Sequence, residues 1–138
     1  MIQETVCYIL ARTCRAHRNH LEEAFRVCGL HVGQEMTLLP LWDEEGMTQS
    51  ELARRVDVDL STMSKMLYRL ERAGIVERRR DTVDTRVSFV FLTDAGRALQ
   101  HRVITAWEEV DQRAMRGLTD DEQATLHQLL ARVEHNLH

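Results

Sequence analysis

Apolar residues recur at helical spacing along most of this chain and alternate at every second position in only one place. Val6, Ile9, Leu10, Leu21, Ala24 and Phe25 keep the 3.6-residue period, which predicts a first helix over residues 4–28, stopped by Gly29. "VGQEMTLLPLWDEEG" predicts a second helix ending before Gly46, with Pro40 expected to kink or shorten it. In "MTQSELARRV", Thr48 stands three residues before Glu51, the spacing of a capping box, and predicts a short helix to Val56. After the turn "DVD", the apolar stripe Leu60, Met63, Leu67, Leu70 and Ala73 predicts another helix, with Asp59 as N-cap and Gly74 as its left-handed stop.

The period then changes. "IVERRR" and "TRVSFVFL" place Val76, Arg78, Val87, Phe89 and Phe91 in alternating patterns around the polar tip "DTVD", which predicts a β-hairpin. Thr93 can cap a long helix carrying Leu99, Val103, Trp107 and Val110 on one face. A final helix follows, with its own Thr119–Glu122 capping box and the stripe Leu126, Leu129, Leu130, Val133 and Leu137. The expected fold is mainly α with a small β-hairpin wing. It is a winged helix-turn-helix over residues 30–97 within a single unit of residues 1–138, with long dimerisation helices at residues 1–28 and 98–138.

Two short helices, a tight turn and a hairpin are suited to reading double-stranded DNA. The second of those helices opens with small hydroxyl side chains, Ser61, Thr62 and Ser64, which do not block entry to a major groove. Lys65, Arg69 and Arg72 are long enough to reach phosphates or base edges. On the first wing strand Arg78 and Arg80 share a face, and alternation sends Arg79 to the other side, towards solvent or an internal pair. Arg86 stands at the loop end of the second strand, placed to enter a narrow minor groove, and Asp84 is close enough to aim it.

Composition adds the setting. Hydrophobic residues make up 43% and charged residues 29%, the balance of a folded globular chain. A net charge of −4 argues against nucleic acid until its distribution is considered. Residues 48–97 hold 10 Lys and Arg against 8 Asp and Glu, whereas the flanks hold 8 against 14. The winged segment is therefore the basic part. No apolar run approaches a membrane span, and the first residues lack the pattern of a signal peptide. With three cysteines and no scaffold spacing, a cytoplasmic location is expected. Nucleophile elbows, phosphate-binding loops and HExxH are all missing, so an enzyme is not expected, and no cofactor is called for. A winged helix serving protein contacts instead of DNA remains the bland alternative.

The chain resembles the MarR family of transcriptional regulators. The resemblance rests on Asp84, Arg86, Leu92, Thr93 and Gly96 at the spacing of that family's wing signature, and on "RLERAGIVERR" and "ELARRVDVDLSTMSKML". It implies a homodimer with interlocked terminal helices whose two wings grip a pseudo-palindromic operator, and an input near the junction of dimer and DNA-binding region. Three inputs are weighed. Arg12, Arg15, His17 and His20 on the first helix would border a cavity suited to a small aromatic carboxylate. "VCYIL" resembles the cysteine-bearing segment of the family's hydroperoxide sensors, which makes Cys7 a redox candidate, although "LHVGQEM" lacks the tyrosines those sensors use. Cys7, Cys14 and Cys28 fall at multiples of seven, on one stripe of the expected first helix. Cys14, His17, His20 and Glu23 are spaced three apart, a metal-responsive pattern that drifts around a helix and needs a partner chain to converge.

Overall fold

Thr5 starts the first long helix. Its hydroxyl accepts the Tyr8 amide, and α1 runs Val6–Arg26 behind a single 3-10 turn at Ile2–Glu4. In this computed structural model, which describes all 138 residues, the remaining elements are α2 (Gln34–Asp43), β1 (Met47–Thr48), α3 (Gln49–Val56) and α4 (Leu60–Arg72). They are followed by β2 (Val76–Arg80), β3 (Ser88–Leu92), α5 (Asp94–Ala98), α6 (Gln100–Ala114) and α7 (Asp120–Leu137).

The helix expected over residues 4–28 is shorter at both ends, so Cys28 lies in the turn beyond α1 and not on its stripe. Pro40 does not break α2, which stays one ten-residue helix. The long helix expected from Thr93 is divided at Leu99 into α5 and α6. Thr93 is still its cap: its hydroxyl accepts the Gly96 amide at 3.1 Å and donates to the carbonyl of Gly74 at 2.6 Å.

The wing is a three-stranded antiparallel sheet in the order β1-β3-β2, one strand more than the expected hairpin. β1 has only two residues, too few for alternation to show in the sequence. It pairs Met47 with Val90 and Thr48 with Phe89. β2 pairs along its length with β3, Arg78 opposite Val90 and Arg80 opposite Ser88.

The core is where the inward stripes meet. Leu21 and Phe25 of α1, Leu38 and Leu41 of α2, Leu52 of α3, and Met63, Leu67 and Leu70 of α4 are buried with Val90 of β3 and Val103 of α6. Each such side chain contributes about 1.5–3 kcal/mol by leaving water. Leu60 departs from the expected stripe. It is 54% exposed, because it stands at the first turn of α4, ahead of the packed face.

Two faces stay uncovered. Val6 is 74% exposed, Ile9 is also exposed at the start of α1, and Leu129, Leu130 and Leu137 are exposed on α7. No helix is long and apolar enough to cross a membrane.

Candidate nucleic-acid interface

Local chemistry fixes α3 and α4. The Thr48 hydroxyl accepts the Glu51 amide at 3.1 Å, but only this half of the expected capping box forms. The Glu51 carboxylate turns instead to Arg54 and Arg55. Asp57 takes a left-handed conformation, φ 60°, and ends α3. Asp59 then accepts the Thr62 amide at 2.7 Å and starts α4. Hydrogen bonds from Thr62, its backbone amide foremost, hold the Asp59 carboxyl below its ordinary range, so it stays ionised as a cap.

The outer face of α4 divides into two groups. Ser61, Thr62, Lys65 and Arg69 are exposed, and the side chains of Lys65 and Arg69 make no ion pair or hydrogen bond within the chain. Arg72 donates to the Tyr68 hydroxyl at 3.3 Å and lies over its ring. Ser64 is half-buried and accepts from Arg78 at 3.3 Å. Arg78 faces inward to Glu71, so these two of the sequence-derived contacts are engaged with each other instead of presented outward.

On the wing, alternation acts as expected. Arg80 is exposed on the face of Arg78, while Arg79 pairs with Glu77 and covers the Phe91 ring at 4.1 Å. The Val87 amide donates to the Asp84 carbonyl at 3.0 Å, and the Asp81 amide to the Val87 carbonyl at 2.9 Å, which together close the tip. Arg86 projects from this tip, 89% exposed, and donates to Asp84 through Nε and Nη2. That pair holds the Asp84 carboxyl below its ordinary value and raises Arg86. Arg86, Val87 and Ser88 share a surface cleft of about 290 Å³ with Thr48, Gln49, Ser50 and Leu60. The wing thus faces the first turns of α3 and α4.

The base of the wing is tied to α2 and α5. The Trp42 indole donates to the Gly96 carbonyl at 3.0 Å. Glu45 accepts the Leu92 amide at 2.9 Å and takes Arg97 through both carboxylate oxygens. The Arg97 hydrogen bond is the largest reason that the Glu45 carboxyl sits below its ordinary range.

A second concavity, about 440 Å³, lies between α1, α2 and α6. Of the four cavity residues expected from sequence, Arg15 and His17 line it. Arg12 stacks on Tyr8 instead, and His20 borders a separate cleft with Glu109 and Arg113. His17 packs on Trp107 with ring centroids 4.8 Å apart, the commonplace fate of a helix histidine. No three His, Cys, Asp or Glu side chains gather within the chain in a way that would hold a metal ion. Cys7 and Cys14 are exposed.

Sequence reasoning missed the floor of this concavity. Glu35 is fully buried, accepts the Gly33 amide, and receives the Trp107 indole N–H at 3.4 Å. One acid within the apolar run "MTLLPLW" and its lead-in was visible, but its inward direction was not.

Comparison with known proteins agrees with this geometry. The MarR family model matches residues 30–88. The HTH-type transcriptional regulator TtmR of Methylorubrum extorquens (strain PA1) is 39% identical over 105 residues, 76% of this chain. The match spans 53% of TtmR, about half the length of that relative. The PcaV transcriptional regulator from Streptomyces coelicolor, solved with its natural ligand, superposes with a TM-score of 0.84 at 26% identity, covering 100% of this chain and 97% of PcaV. Reduced AbfR bound to DNA superposes with a TM-score of 0.75 at 26% identity, covering 96% of this chain and 91% of AbfR. The wing signature, the helix order and these relatives agree: residues 30–88 carry a winged helix-turn-helix of the MarR family, and the fold of the chain is that of MarR-family transcriptional regulators.

Proposed function

We propose that this chain acts in the cytoplasm as a homodimeric repressor that binds a pseudo-palindromic double-stranded operator. α4 enters the major groove with Ser61, Thr62, Lys65 and Arg69, and Arg86 enters the flanking minor groove. The observation that carries this reading is the wing: an almost fully exposed arginine, aimed by a neighbouring carboxylate, across a cleft from two helix N-termini. Beyond Asp84, that guanidinium bonds to nothing else in its own fold. AbfR, of the same fold, is solved on DNA, which supports the same use here.

The concavity between α1, α2 and α6 supports release by a small aromatic carboxylate. Arg15 supplies a cation for the carboxylate, His17 and Trp107 supply ring faces, and Glu35 holds the Trp107 indole in place from below. PcaV, solved with its ligand, supports a ligand-responsive reading of this architecture.

Selection from a pool of random duplexes tests the DNA assignment. Recovery of one two-fold-symmetric motif, with half-sites about 34 Å apart, is expected of a dimer. A pool that yields no enriched motif refutes it.

A further inference from the structure

Arg78 stands on β2 but its side chain is turned into the protein, only 22% exposed. Its Nε donates to Glu71 Oε1 at 2.7 Å, and Nη2 lies 2.6 Å from the same oxygen. Its Nη1 reaches Gln49 Oε1 at 3.2 Å and Ser64 Oγ at 3.3 Å. One guanidinium therefore joins the wing to the first residue of α3 and to two points of α4 that are seven residues, about two turns, apart.

We propose that Arg78 is a positioning residue for DNA recognition, bracing α4 at a fixed angle to α3 and the wing, and that it makes no contact with DNA itself. The inference rests on the DNA-binding reading above. A planar fork with five donors is suited to this task, because it can bond three separated acceptors at once, as a lysine ammonium on a flexible stem cannot. Base readout depends on hydrogen bonds that fail within a fraction of an ångström, so it needs α4 held still. Attraction to phosphate falls slowly with distance and tolerates a helix that shifts. Loss of the brace therefore removes sequence discrimination and spares non-specific affinity. The same contact takes up Ser64, which is half-buried and accepts from Arg78 as part of the brace.

The experiment uses the full chain and two labelled duplexes of equal length, one selected by the wild type from random DNA and one scrambled. Binding is followed across a salt series. Arg78→Ala is expected to lose about 10- to 100-fold in affinity for the selected duplex. It should keep its affinity for the scrambled duplex within about twofold, with an unchanged salt slope. Arg78→Lys and Glu71→Gln are expected to fall between Arg78→Ala and wild type, and they carry the same comparison if Arg78→Ala does not fold. Equal loss on both duplexes, with a salt slope shallower by about one, makes Arg78 a phosphate contact and overturns the proposal. Unchanged affinity on both duplexes overturns it too. A wild type that selects no duplex refutes the DNA-binding reading and this proposal together; selection by the wild type with indifferent variants refutes the proposal alone.

Discussion

The guanidinium of Arg86 lies fork to fork on the carboxylate of Asp84, Nε to Oδ1 at 2.9 Å and Nη2 to Oδ2 at 3.0 Å, and the Arg86 amide donates to the same carboxylate at 3.1 Å. Three bonds fix the direction of a side chain that otherwise touches little. Arg86→Ala is expected to weaken binding to the selected duplex by about 5- to 100-fold. Thermal melting should not change, since the pair is exposed and screened. The pair also sets a pH limit. The Asp84 carboxyl is held below its ordinary value of 3.8, so it stays ionised at every pH above that value and is lost only on acidification through its lower folded value. Duplex affinity should therefore show no Asp84-dependent step between about pH 5 and 8, and a titration that finds one removed by Asp84→Asn would contradict the assignment.

Gly96 leaves no room for a side chain at the wing base. A methyl group there would lie 2.2 Å from the Ile75 carbonyl oxygen, a backbone atom that cannot swing away. The carbonyl of Gly96 is meanwhile held by Trp42. Gly96→Ala is expected to destabilise the fold by about 3 kcal/mol, seen as a lower urea midpoint with the slope unchanged. A midpoint equal to wild type would show that β2 and α5 separate freely.

Glu45 gives a stability effect with a defined pH dependence. Its carboxyl is held below its ordinary value of 4.5, chiefly by Arg97. A depressed carboxyl stabilises the fold above its unfolded value, and that contribution disappears as pH falls through the folded value. Glu45→Gln keeps an oxygen for the Leu92 amide and removes the charge. It should cost about 0.5–1 kcal/mol at neutral pH, a small figure because Arg97 is half exposed. The gap between variant and wild type in thermal melting should narrow as pH falls below 4.5 and close once the wild-type carboxyl is protonated. A gap that persists in acid would mean that the charge is not its source.

The helices and wing were legible because their signals are local. Periodicity over α4, the caps Asp59 and Thr93, and the alternation of Arg78, Arg79 and Arg80 all act within a few residues; the caps and the alternation form as read, and so does the α4 stripe at Met63, Leu67 and Leu70. Partners distant in sequence were not legible. Arg78 and Arg80 look equivalent on β2, yet Glu71 and Gln49 draw only Arg78 inward. Thr48 and Glu51 have capping-box spacing, but Arg54 and Arg55 compete for the Glu51 carboxylate. Arg12, Arg15, His17 and His20 share one helix, and only the approach of α2 and α6 decides which two line the concavity. β1 and the burial of Glu35 likewise depend on segments far away in sequence.

The uncovered faces of α1 and α7 predict assembly. Val6, Ile9, Leu129, Leu130 and Leu137 are exposed on two long helices, a concentration rarely left bare by a soluble monomer. Sedimentation at micromolar concentration should give a dimer. Leu130→Asp should shift it towards monomer and lower duplex affinity at the same time, because two half-sites are read together. A wild type that sediments as a monomer would refute the dimer.

The last test separates ligand from oxidant. Cys7 and Cys14 are seven residues apart on α1, about 10 Å along its axis. A disulfide needs Cα atoms within about 7 Å, so the intact helix forbids one between them. Cys28, in the turn beyond Arg26, is farther still from Cys7 along the chain. Peroxide can therefore give Cys7 no disulfide within its own chain; it leads to a sulfenic acid, which goes on to a mixed disulfide, a bond to a partner subunit or the higher sulfur acids. The concavity, by contrast, sets Arg15 beside the rings of His17 and Trp107, the groups that the proposed function assigns to a carboxylate ligand. Salicylate or a hydroxybenzoate at millimolar concentration is expected to release the selected duplex from wild type and Cys7→Ser alike, and Arg15→Ala should abolish that release. Peroxide should release neither protein. Release by peroxide of the wild type but not of Cys7→Ser would make the thiol the input and leave the concavity without this role.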